Sequence, residues 1–320
     1  MKKKGKFVIS LDFELRWGGV EKWSIDCKYS YFLETRKSIP QVLLLFKQND
    51  IKATWATVGF LFAKDKKQLL DYSPSIQPTY SNQKLSSYNY FNEIGNNEKN
   101  DPYHFAYSLI TNILETPGQE LGTHTFSHYY CNELGQTIEE FEADLQSAQN
   151  LARDNFGISL KSLVFPRNQY NPYYLNVVEK QGIKVVRSNP DVWFWKSTKG
   201  KMMPAFRAMD TLFSISRSLS FDSNDLKNNN KIIELPASRF FRPYKDKEMF
   251  IQQLKMNRIK GEMTYAAKNN LDYHLWWHPH NLAENVDKNH NQLIEIINHF
   301  KQLRGKYGFE STTMGDYAKI

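Results

Sequence analysis

A chain of 320 residues, 41% of them hydrophobic, can bury one large core, so a single elaborated domain over 1–320 is expected. Cys27 and Cys131 are the only cysteines, which excludes a disulfide framework or four-cysteine metal site and points to a reducing compartment. A formal charge of +8 favours anionic company such as a phosphate-bearing lipid, a nucleotide sugar or an acidic glycan, while the absence of a basic run interleaved with stacking aromatics speaks against nucleic acid.

The opening lysines run at once into Phe7-Val8-Ile9-Ser10-Leu11, an apolar stretch too short for a secretory signal and followed by no small-residue cleavage site. No run approaches the roughly 20 apolar residues of a membrane helix. A soluble, cytoplasmic protein is therefore expected, with peripheral membrane contact left open. Phe7 to Leu11 reads as the first strand. Ile39, Val42, Leu43 and Phe46 repeat at helical spacing and stop at Asn49-Asp50, after which Ile51 to Val58 resumes a strand pattern. Residues 72–103, rich in Ser, Asn, Tyr and Pro, break the rhythm and read as an insertion on one face of the core.

A helix near Phe105 to Leu114 and a strand from Gln119 to Thr123 follow. Thr137 with Glu140 makes a capping box for a long amphipathic helix that ends at Gly157. Strand, helix and strand are predicted at Leu160 to Phe165, Pro172 to Gln181 and Ile183 to Arg187, with Asn171 as N-cap and Gly182 as stop. Residues 188–230 read as loops with an edge hairpin. Two more units close the chain: Lys231 to Leu235 with a helix near Glu248 to Asn269, then Tyr273 to Trp277 with a helix near Asn289 to Arg304. Alternating strands and helices define an α/β protein with a parallel sheet.

Four places just past predicted strands carry chemistry, where α/β barrels gather their active sites. In Ser10-Leu11-Asp12-Phe13-Glu14 two carboxylates at alternate positions point the same way and can divide the work of metal ligand and general base. In His124-Thr125-Phe126-Ser127-His128 the imidazoles four apart are read as one face of a helical turn that shares a divalent ion. In Pro166-Arg167-Asn168 an arginine on a proline turn can hold a carboxylate ionised and oriented. In Trp276-Trp277-His278-Pro279-His280 a histidine after an aromatic strand suits general acid duty, and either His278 or His280 can supply it.

Together these places resemble the polysaccharide deacetylase family, the NodB-homology or family 4 carbohydrate esterases, over residue 7 to the end of the chain. The resemblance implies a distorted (β/α)7-type barrel and metal-dependent hydrolysis of an N-acyl, foremost N-acetyl, group on a sugar. It makes Asp12 the base, Glu14, His124 and His128 the metal ligands, Arg167 the tether of the base and His278 the acid. Zinc is the expected ion. The chain departs from the family pattern in spacing its carboxylates as Asp-x-Glu, where adjacent aspartates are usual, and in placing Pro166 before Arg167.

The mechanism so implied polarises the amide carbonyl at the metal, takes a proton from water at Asp12 and returns one to the amine from His278. Trp17, Trp23, Trp193 and Trp195, with Asn168 and His280, are candidate sugar contacts. The substrate expected is a glycan or an anionic carrier-linked saccharide. A formamido-sugar deformylase or cyclic-amide hydrolase would use the same centre, and a catalytically inactive sugar-binding module would share the fold. Oligomeric state is not legible.

Overall fold

Ten strands make one sheet in the computed structural model, which describes residues 3–190, 192, 210, 218–229 and 231–319. In chain order they are β1 Lys6–Phe13, β2 Ala53–Thr57, β3 Gln119–Thr123, β4 Ser162–Val164, β5 Val185–Ser188, β6 Lys227–Asn229, β7 Ile232–Pro236, β8 Arg239–Phe240, β9 Tyr273–Trp277 and β10 Glu310–Thr312. The sheet order is β6-β7-β5-β4-β3-β2-β1-β9-β8, with β10 beside β1, and every pairing but β6 with β7 is parallel. One short segment nearly closes the curl. Ile232–Pro236 lies on β5 at one end, and three residues later Arg239 pairs with Leu275 of β9 at the other. The result is the distorted barrel expected from the sequence.

Seven helices of the described residues cover the outside: α1 Ile25–Gln48, α2 Lys66–Tyr72, α3 Tyr107–Glu115, α4 Ile138–Phe156, α5 Leu175–Lys180, α6 Met249–Asn269 and α7 Val286–Tyr307. Alternation along each strand decides what they bury. Phe7, Ile9, Leu11 and Phe13 of β1 face outward into the main apolar cluster with Phe46, Ile296, Ile297 and Phe300. Val8 faces inward, with Ala56, Val164, Val185 and Leu235. The lower end of the interior is stopped by the C-terminal segment, whose Met314 and Tyr317 join that inner cluster. Glu120 anchors the segment by accepting from Gly315 N at 2.9 Å, Thr54 Oγ1 at 2.6 Å and Ser162 Oγ at 2.6 Å.

The segment read as an insertion carries short 3-10 turns and no strand, yet it is structural. Tyr80 is buried within it, and its hydroxyl accepts from Tyr130 N at 2.8 Å. The edge hairpin expected in 188–230 is β6 against β7. The helix expected from Pro172 opens as a 3-10 turn over Pro172–Tyr174 before α5, with Asn171 Oδ1 accepting from Tyr173 N. Strands β8 and β10 and helix α2 carry too few residues to show a period. Trp193 and Trp195 lie outside the described residues.

The capping box on α4 is formed as read: Thr137 Oγ1 accepts from Glu140 N, Glu140 Oε2 accepts from Thr137 N at 3.1 Å, and Gly157 closes the helix at φ +67°. Glu140 also accepts from Thr79 N of the inserted segment at 3.1 Å. Thr137→Ala should therefore cost about 1 kcal/mol and lower the melting temperature by roughly 2 °C, measured by calorimetry, whereas Glu140→Ala should cost more because it also releases the insertion.

Candidate functional site

Inward alternation on β1 and β9 stacks polar side chains above the apolar floor. On β1 the series is Val8, Ser10, Asp12 and then Glu14 just past the strand, and on β9 it is His274, Trp276 and His278. Ser10 is paired with Trp276 in register, so the two series rise side by side. At the upper end, the C-terminal ends of the strands, Asp12, Glu14, His124 and His128 are all at most 4% exposed.

Glu14 Oε1 is the meeting point. It lies 3.0 Å from His124 Nε2, 3.2 Å from His128 Nε2 and 3.5 Å from His278 Nε2. His124 Nδ1 donates to the Val164 carbonyl at 2.8 Å, since that oxygen can only accept, and Nε2 is the nitrogen turned toward Glu14. Burial pushes His128 below its ordinary value, although Glu14 pulls the other way. Two imidazoles thus converge on one carboxylate oxygen, a donor set suited to a divalent cation and to zinc in particular. The ligand atoms lie within 4.8 Å of one another.

The two histidines do not sit on a helical turn. Residues 124–130 form an open loop in which Thr125 has φ +63° and His128 φ +61°. A β-branched residue in the left-handed region is strained, and strain of this kind needs support from its surroundings. Asp144 of α4 provides it by accepting from Phe126 N at 2.7 Å, Ser127 N at 3.0 Å and Ser127 Oγ. Gly59 lies against the other side and donates to Thr125 O at 2.8 Å; a Cβ there would stand 2.7 Å from the Phe126 ring. Asp144 was missed in the sequence, although its place on the Phe141, Leu145 and Ala148 face of an amphipathic helix marks it as a buried acid.

The guanidinium on Asp12 is that of Arg187, not Arg167. Arg187 Nη1 donates to Asp12 Oδ1 and Nη2 to Oδ2, each at 2.7 Å, and both side chains are buried. The proline turn sends Arg167, at φ +54°, outward to pair with Glu21 and to lie 4.1 Å over the Tyr130 ring. Arg187 is held further at its fork and face: Ser10 Oγ accepts from Nη1 at 3.0 Å, Asn168 Oδ1 accepts from Nη2 at 2.9 Å, and Trp276 lies 4.3 Å beneath it. Asn168 thus orients Arg187. Its signal in the sequence is an arginine at an inward position of the buried strand Val185-Val186-Arg187.

Burial pushes Asp12 up, but Arg187 together with His124 and His278 outweighs it and holds the carboxyl below its usual value. Glu14 is raised by burial and brought well below its usual value by His278, His128 and His124. Beneath them His274, pushed down to about 3 by burial and then by Arg187, accepts from Ser10 Oγ at Nε2 and donates to Pro236 O at Nδ1.

His278 faces the two carboxylates from across the cleft, with Nε2 3.8 Å from Asp12 Oδ2 and its side chain 24% exposed. Asn281 Oδ1, 3.3 Å from Nδ1, orients the ring. His280, the other candidate, stacks behind it with centroids 4.8 Å apart and is buried, so it has no open path to a sugar. Trp17 is also a core residue, fully buried with Nε1 donating to His104 O at 3.0 Å, and it offers no face for stacking. Trp23 is half-buried against His280 and Tyr31.

The family model described as polysaccharide deacetylase matches residues 23–186. The chain belongs to that family, whose members are hydrolases of acylated sugars. Among solved structures, a Mycobacterium smegmatis protein assigned as a polysaccharide deacetylase is similar over 100% of this chain and 91% of its own, with 10% identity and a TM-score of 0.61. A Pseudomonas aeruginosa protein assigned likewise is similar over 98% and 89%, with 10% identity and a TM-score of 0.56. A 4-alpha-glucanotransferase of Thermococcus litoralis shares the fold at TM-score 0.57 and 11% identity, over 99% of this chain and 40% of its own. No curated protein matches.

Burial pushes Asp144 from its ordinary 3.8 up to about 6, against the pull of its three donors. A raised acid favours the protonated fold, so this group's contribution is complete below its unfolded value and is lost as pH rises toward 6. Stability to urea should fall over that interval, and Asp144→Asn should flatten this part of the profile.

Proposed function

We propose that the chain is a metal-dependent deacetylase of N-acetylated sugars, with Glu14, His124 and His128 holding a divalent ion, zinc before others. The observation that supports this reading most is the meeting of those three side chains beside a second carboxylate, Asp12, that is clamped by an arginine. Held by Glu14, His124 and His128, such an ion would supply Lewis-acid polarisation of the amide carbonyl and a lowered pKa for water.

The chain's own residues do the rest. Asp12 accepts a proton from the attacking water; Arg187 occupies one lone pair of each oxygen and leaves others free for that proton. His278 then protonates the amine nitrogen, a step the reaction needs because an amide anion is too poor a leaving group. The Asn281 carbonyl fixes the donating nitrogen as Nε2, the one facing the carboxylates. Phe240 and Trp276 flank His278 at 5.9 and 5.7 Å and screen it from bulk water on that side.

Metal analysis with acetate release from N-acetylated oligosaccharides tests the reading. His124→Ala should strip the metal and all turnover, whereas Asp12→Asn should keep the metal and lose about a thousandfold in kcat. A protein with no stoichiometric metal and no acetate release would instead be a sugar-binding module. Formate release, or ring opening of a cyclic amide, without acetate release would assign the same centre to another acyl group. His278→Ala should slow amides far more than an activated ester, whose leaving group departs without a proton.

Arg187 supplies the pH test. It helps hold Asp12 below its usual value, so Arg187→Met should raise that value and move the acidic limb of kcat/KM to higher pH. Arg167→Met should leave the limb in place.

A further inference from the structure

In a parallel sheet each helix that follows a strand begins at the strand's C-terminal end, here the end that carries Asp12, Glu14 and His278. The three most exposed large apolar side chains among the described residues all lie there. Phe250, 89% exposed, lies in the first turn of α6 after β8; Tyr173, 83% exposed, lies in the 3-10 turn between β4 and α5; and Leu134, 80% exposed, lies between β3 and α4. Met249, 56% exposed, adjoins Phe250, and Tyr29, 54% exposed, lies in the first turns of α1. These residues come from four separate loops on both sides of the mouth, because β3 and β4 lie on one side of β1 and β8 on the other.

Isolated apolar tips spread around a perimeter do not line a groove. They suit a planar partner that meets all of them together, and amphipathic Tyr with Phe and Met is an interfacial composition. The charge beside Met249 and Phe250 is positive, whereas Leu134 has Glu133 and Glu139 near it in sequence. Arg242, Lys245 and Lys247 precede Met249 against Asp246 alone, because Glu248 is paired with Lys255, and the whole chain carries +8. Anionic lipid attracts such a segment, with a contribution from each cation near the surface.

We propose that this rim docks on an anionic lipid bilayer, with Phe250, Met249, Tyr173 and Leu134 entering the headgroup region and the cleft facing the surface. A saccharide borne on a lipid would then reach the cleft without leaving the membrane; this last step rests on the deacetylase reading, but docking itself does not.

Sedimentation with vesicles of phosphatidylcholine, with and without about 30% phosphatidylglycerol, tests it in the absence of substrate. Wild-type protein should bind the anionic vesicles, and roughly 0.5 M salt should weaken that binding. The double variants Met249→Ser with Phe250→Ser, and Leu134→Ser with Tyr173→Ser, should each bind about tenfold more weakly. Their melting temperatures and acetate release from a soluble oligosaccharide should stay at the wild-type level, which separates failure of docking from failure of the proposed activity. No binding of the wild type to either vesicle, or equal binding by the double variants, overturns the proposal. So does a dimer in solution that these substitutions dissociate, or retention on a glycan polymer that they abolish without any vesicle binding.

Discussion

The buried pair of Asp12 and Arg187 is the constraint to which the upper barrel answers. Two charges taken out of water cost several kcal/mol each, and mutual hydrogen bonding offsets that loss. The barrel supplies it at the fork: both carboxylate oxygens accept from Arg187, Ser10 and Asn168 accept its remaining η protons, and Trp276 lies against the guanidinium face, while Nε alone has no partner among the described residues. Ser10 can serve Arg187 because its own hydroxyl proton goes to His274, which is neutral, and His274 in turn donates to Pro236 O. The chain of donors and acceptors therefore runs from the β7 carbonyl through β9, β1 and β5. It crosses the place where the curled sheet is closed by the chain alone.

That arrangement explains why the interior of the barrel is polar above and apolar below. A (β/α) barrel filled by Val, Ile and Leu throughout has no use for Ser10 or His274. Here the apolar layer of Val8, Ala56, Val164, Val185 and Leu235 sits at the closed end, under the Tyr317 and Met314 stopper. On β1 and β5 the polar layer begins two residues higher, at Ser10 and Arg187. A water-excluding floor beneath the carboxylates strengthens every interaction above it, which is how Arg187, with His124 and His278, outweighs the burial of Asp12.

Periodicity made much of this legible. Strand β3 and strand β9 fall where alternation put them, as does the capping box of α4, because each is a strong local pattern with no tertiary competitor. The convergence of Asp12, Glu14, His124, His128 and His278 followed from their places just past strands. What failed was spacing read without conformation. His-x3-His suggested a helical turn, but two left-handed residues open it into a loop that Asp144 and Gly59 help to hold. Arg167 looked like the tether because it follows a strand and a proline; the proline turn directs it outward, and the inward position on the neighbouring strand belongs to Arg187. Trp17 shows the same limit, since nothing local distinguishes a stacking platform from a ring packed on Phe60 and His104.

The Asp-x-Glu spacing has a geometric reason of its own. Two residues along a strand advance the chain by about 6.6 Å, so the second carboxylate leaves the backbone well above the first. An aspartate at that height would carry its oxygens near the backbone of the loop; the added methylene of Glu14 lets the carboxylate reach Nε2 of both His124 and His128 while the backbone is already turning away at Leu15, φ +47°. The turn brings residue 18 back over that side chain, and a Cβ there would stand 1.8 Å from Glu14 Oε2. Glycine at 18 is thus the companion of glutamate at 14. Separation of the carboxylates also lets each take its own main partner, the imidazoles of His124 and His128 for Glu14 and the guanidinium for Asp12, while His278 faces both.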